Sequence, residues 1–161
     1  IEMICGKRVL DYLNMVNNQN HQISVKLSAK MDKTAQAVER LQEENFRLKG
    51  QVGQMVDDMC RKEAERYAGS GSVLIFMDGM DADSVRKLAD AVTQTCQGCC
   101  AVFSRNADGS FKYAMGEKDG DLRQFTKEMN AKLNGRGGGK PFFVQGSVQA
   151  TEEEIRRFFE Q

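Results

Sequence analysis

The sequence predicts an α/β chain: a long helical hairpin or coiled-coil arm followed by a small mixed-sheet α/β domain. Three observations carry that expectation. Residues 7–68 hold no Pro and few β-branched residues, and their apolar positions repeat in heptads. From residue 69 onward, short apolar runs alternate with Gly and Asp punctuation. The GSGS of residues 69–72 marks the join.

The arm repeats in two stretches. Val9, Leu13, Val16, Asn20, Ile23 and Leu27 form the first, and Met31, Thr34, Val38, Leu41, Asn45, Leu48, Val52, Met55 and Met59 form the second. The spacing slips between Leu27 and Met31. A slip is either a stutter in one coiled coil or a turn between two helices. Ser28 or Asp32 offers a cap for a new helix, so a break is preferred. Asn45 lies in line with Val38 and Val52, between Leu41 and Leu48. One polar seam residue among Val and Leu favours a parallel two-stranded coiled coil. The competing arrangement folds residues 9–27 back as an antiparallel hairpin, and a dimer of hairpins reconciles the two. Val38, Leu41, Asn45, Leu48 and Val52 are therefore the expected dimerisation residues. Gly50 and Gly53 fall on the outer face, each at a cost of about 1 kcal/mol. They mark a bend, a close contact, or simple tolerance.

In the second part, SVLIFMDGM reads as a strand covered on both faces. Asp81 or Asp83 opens a helix with Val85, Leu88, Ala89 and Val92 on one face. CCAVFSR and SFKYAM flank the NADG turn as a hairpin. Leu122, Phe125, Met129 and Leu133 mark another helix. A glycine loop follows, then PFFVQGSV as a fourth strand. Thr151 with Glu154 forms a capping box for a last helix carrying Ile155, Phe158 and Phe159.

With 161 residues, the chain has room for one compact domain plus an appendage. It carries 23 basic and 23 acidic residues, which argues against a strongly basic nucleic-acid binder but leaves room for a local patch. No apolar run approaches the roughly 20 residues of a membrane span. The start lacks the features of a signal peptide, so the five Cys are expected to be reduced and the chain cytoplasmic. It begins without Met in an apparent strand, as a piece of a longer polypeptide would.

NGRGGGKPFFVQGSV, residues 134–148, is the stretch that most invites a ligand. It is not a P-loop, because Pro141 follows Gly139-Lys140 and the element order is helix–loop–strand. It fails the dinucleotide fingerprint as well, with Lys140 where Gly is needed. What remains is contact with phosphates. The N–H groups of Gly137, Gly138 and Gly139 are unshielded, and Arg136 and Lys140 add charge at both ends. Arg123, Lys127 and Lys132 lie on the preceding helix. The alternative is a flexible loop beside an ordinary solvated helix. CQGCC offers two to three thiols near no His, so buried structural Cys is preferred over metal or redox chemistry. His21 reads as a surface residue, and Asp78 and residues 81–83 as helix-capping acids. No catalytic constellation emerges and no metal site is expected.

GRGGGKPFFVQGSV, set between an amphipathic helix and a capped terminal helix, resembles the C-terminal, DHH-associated domain of alanyl-tRNA synthetases and alanyl-tRNA editing proteins. Gly135 to Gly139, Lys140, Pro141 and Gln145-Gly146 carry the resemblance. IEMICGKRVLDYL resembles the segment leaving the editing domain. The resemblance implies an exit strand at residues 1–6, an arm at 7–68 and a DHH-associated domain at 69–161. It implies tRNA as partner, a homodimer formed through the arm, and zinc only in an upstream hydrolytic domain. VQGSV is closer to the editing branch, so the expected role is a non-catalytic tRNA-binding and dimerisation segment of an editing protein. The tail of an alanyl-tRNA synthetase and a purely structural assembly module are the alternatives.

Overall fold

The computed structural model describes residues 6–160. The expected exit strand at 1–6 therefore lies, apart from Gly6, outside the described residues. The chain divides into two compact units, one up to Gly53 and one from Gln54.

The first unit holds helix α1 (Lys7–Lys26), a 3-10 turn (Met31–Lys33) and most of helix α2 (Thr34–Arg66). The phase slip is a break between helices, the preferred of the two arrangements. Its chemistry differs from the capping expected. Neither Ser28 nor Asp32 caps; Lys30 holds the N-cap position with no side-chain bond. The turn is instead a Schellman arrangement closing α1. Ser28 N–H donates to Val25 O (3.2 Å) and Ala29 N–H to Ser24 O (2.9 Å). Ser28 takes φ 50°, a position glycine usually fills. Asn20 then ties the turn down: its Nδ2 donates to Met31 O (3.0 Å), and its Oδ1 accepts from Thr34 Oγ1 (2.8 Å). Two polar seam positions thus serve the turn. The apolar seam stays uncovered, with Leu13, Leu41, Leu48 and Val52 all exposed. A Cβ at Gly50 or Gly53 would meet nothing within 4 Å, so neither marks a close contact.

The second unit opens with the last turns of α2, whose Val56, Met59, Cys60 and Ala64 pack into its core. Strand β1 (Val73–Asp78), helix α3 (Ala82–Thr93) and strand β2 (Cys100–Arg105) form a parallel crossover unit. Strand β3 (Phe111–Gly116) returns antiparallel through the expected turn, with Gly109 at φ 83°. Helix α4 (Leu122–Lys132) leads to strands β4 (Arg136–Lys140) and β5 (Phe143–Val148), and helix α5 (Glu152–Phe159) ends the fold. The mixed sheet runs β1-β2-β3-β5-β4.

Side-chain alternation sends successive residues to opposite faces. One face carries Ile75, Val102 and Ala114 against Val85, Leu88 and Val92 of α3. The other carries Phe103, Tyr113, Met115 and Val144 against Leu122 and Met129 of α4 and Ile155 of α5. The Asp81 carboxylate accepts from Ser84 N–H and starts α3, while Thr151 and Glu154 form the expected capping box. No helix of the described residues is long and apolar enough to cross a membrane.

Candidate nucleic-acid interface

The glycine stretch is a strand. Residues 136–140 form β4, an exposed edge paired antiparallel to β5. The expected loop fails because pairing supplies an order that the residues themselves do not favour. β5 is joined to β4 by Pro141 and Phe142, and the tip is fastened to α4 where Leu122 N–H donates to Pro141 O (2.8 Å).

Packing demands most of the glycines. Tyr113, Gly146 and Gly137 share one cross-strand row. The Tyr113 hydroxyl crosses this row to donate to Asn130 Oδ1 (3.1 Å), and Asn130 Nδ2 donates to Gly137 O (3.3 Å). A Cβ at Gly137 would strike Gln145 O, the Tyr113 hydroxyl and Gly146 Cα. One at Gly139 would strike Phe143 O, and one at Gly135 the Asn130 side chain and Val148. Gly138 is different: a Cβ there would meet nothing within 4 Å, and its φ is not left-handed. Packing does not explain its bareness.

The Gly138 backbone lines a groove of about 480 Å³ between β4 and α4. Arg123 and Lys127 line it together with Gly137, Gly138 and Gly139. These five predicted residues are brought together; Lys132, Arg136 and Lys140 lie outside the groove lining. Lys132 Nζ sits over the Phe158 ring at 5.2 Å, and Lys140 Nζ over Phe142 at 5.7 Å. Arg136 and Lys140 cap the two ends of the exposed strand. The cations are not equal. Arg123 Nη2 pairs with Asp121 Oδ2 at 2.6 Å, and those hydrogen bonds hold the Asp121 carboxyl down to about 2. Arg123 therefore presents half-neutralised charge, whereas the Lys127 ammonium has no carboxylate partner among the described residues. Thr126 also lines the groove; it is 2 % exposed, and among the described residues its Oγ1 has no hydrogen-bond partner. Thr126 and Asn130 carry no sequence signal, since a lone hydroxyl or amide on a helix is commonplace.

The thiols are set for packing. Burial, reinforced by the charge of Glu117, pushes the Cys99 thiol up to about 12, and burial raises Cys100 as well. Neither offers a thiolate near neutral pH. Among the described residues, no three His, Cys, Asp or Glu side chains are grouped to hold a metal.

Fold and groove together define a small α/β module that presents a bare edge strand beside a cationic helix. The DHHA1 domain matches residues 70–161, more than half of the chain, and the chain belongs to that family. Relatives include the alanine–tRNA ligase of Thiobacillus denitrificans, 26% identical over 156 residues, covering 88% of this chain and 18% of that protein. The ligase from Psychrobacter sp. is 21% identical over 165 residues, covering 95% and 18%. The chain thus spans less than a fifth of the length of these relatives. Among solved structures, the C-Ala domain from Aquifex aeolicus alanyl-tRNA synthetase matches with a TM-score of 0.49 at 20% identity, over 58% of this chain and 92% of that one.

Proposed function

We propose that this chain is a non-catalytic tRNA-binding and dimerisation segment of a cytoplasmic alanyl-tRNA editing protein, whose zinc-dependent hydrolytic centre lies in an upstream domain. The observation that carries the RNA contact is Gly138, a glycine no packing requires, in a groove shared with Lys127 and Arg123. A groove walled by bare backbone and cations suits a phosphodiester. Arg136 and Lys140 extend the contact along β4. A salt titration of tRNA binding tests this. On a duplex, each phosphate that a protein cation neutralises adds about 0.9 to the slope of log affinity against log salt. Arg136→Ala with Lys140→Ala is expected to flatten that slope by nearly 2, on the order of two phosphates. An unchanged slope and affinity would remove the edge strand from the RNA site.

The alignment with alanine–tRNA ligases along most of this chain favours a second reading, the tail of a synthetase. Both readings place the same segment against the same RNA. The uncovered seam of Leu41, Leu48 and Val52 supports dimerisation through the arm, because a stripe this long is otherwise left to water. Light scattering on the whole chain with Leu41→Lys and Leu48→Lys should read monomer against a dimeric parent. A parent that is already monomeric defeats the dimer.

A further inference from the structure

A second cavity in the α/β unit meets the β4 groove only at Asp121, which lines both. It measures about 470 Å³, within the roughly 300–1,000 Å³ of small-molecule sites. Leu74 of β1 and Cys99 form part of its floor, and Leu122, Phe125 and Phe159 its walls. The Phe125 and Phe159 rings stand 5.4 Å apart at 66°, one edge toward the other's face. Such rings offer a planar or branched apolar body a rigid surface.

The polar groups at the mouth are not balanced. Asp121 is committed to Arg123, at 2.6 Å. Arg156 is committed to Glu152, also at 2.6 Å, and lies 4.4 Å over the Phe76 ring. Ser72 Oγ accepts from Cys99 N–H (3.4 Å), which leaves Glu117 and Glu160, both acidic. Glu117 is half-buried beside the Cys99 thiol, and among the described residues its carboxylate makes no hydrogen bond or ion pair. A half-buried carboxylate accepts hydrogen bonds only, and left alone it forgoes part of its hydration. Its natural complement is a donor that brings positive charge into an apolar pocket.

We propose that this cavity binds a small amphipathic cation, its apolar body against Phe125, Phe159 and Leu74 and its ammonium group on Glu117. The site does not rest on the tRNA reading: it shares only Asp121 with the β4 groove, and neither Gly138 nor Lys127. An anion of the same shape would meet Glu117 and Glu160 and is expected to bind more weakly.

The test uses the whole chain and two matched probes, phenethylamine and hydrocinnamate, followed by amide resonances in NMR. The amine should shift Leu74, Cys99 and Phe125 saturably, while the carboxylate leaves them in place. Glu117→Gln should weaken the amine by about tenfold or more, the loss of one charge-assisted hydrogen bond. Phe159→Leu, which reshapes the wall and keeps the charge, should weaken it independently. Equal binding of both probes, no saturable shift with the amine, or full affinity in Glu117→Gln would each overturn the proposal.

Discussion

Gly137→Ala is expected to cost about 3 kcal/mol, while Gly138→Ala, one residue away, should change stability by less than about 0.5 kcal/mol. The two positions share a strand, an exposure class and a residue type. They differ in what stands where a methyl group would go. At Gly137 it would meet the carbonyl of Gln145 and the Cα of Gly146, both main chain, and the Tyr113 hydroxyl. Main chain held in register on both sides cannot swing aside as a lysine tip can. Relief requires β4 to leave β5, which also strips Asn130 of its acceptor at Gly137 O and disturbs its bond to Tyr113. Urea unfolding of the two variants, followed by circular dichroism, separates the cases. Equal midpoints would mean that the row of Tyr113, Gly146 and Gly137 is not packed as described. The pair is useful for function too. Gly138→Ala keeps the fold, since a methyl group there meets nothing within 4 Å, so a loss of tRNA affinity there reports on binding alone.

Phe103→Ala should cost about 4 kcal/mol, the upper part of the range for buried aromatics. Phe103 is 0 % exposed in the centre of the sheet. Its ring stacks on Phe76 at 5.6 Å, meets the edge of Phe159 at 5.8 Å, and leans on Tyr113 at 5.8 Å. Phe76 is on an edge strand, Phe159 on the last helix, and Tyr113 supports the glycine row. The neighbours that would have to fill the space are themselves anchored, so the cavity cannot collapse cheaply. Calorimetry of the intact chain checks this. A loss near 1 kcal/mol, about the cost of a modest core change, would show that α5 can move in to fill the gap.

Elements with their own periodicity were legible in advance. Val85, Leu88, Ala89 and Val92 describe the buried face of α3, and Thr151 with Glu154 describes the start of α5. Both signals lie within a few residues, where local geometry decides. β4 was not legible as a strand. Gly137, Gly138 and Gly139 have no side chains to alternate, and glycine disfavours strands. The strand exists because β5, Tyr113 and Asn130 impose it, and only the folded sheet brings them together. The same holds for the site. The basic residues around the glycines could be picked out from spacing, but not that Asp121 would take up Arg123, nor that Gly138 alone among the strand's glycines would be free of packing.

The exposed edge of β4 bears on how this protein behaves when crowded. An open edge is a template for adding further strands and so for aggregation. If two copies met there antiparallel about Gly138, Arg136 of each would stand opposite Lys140 of the other, since both lie two residues from the centre. Like charges directly opposite across a strand pair repel. The cations at the ends of the glycines thus guard the edge against its own copies, and leave it open to a polyanion that neutralises them.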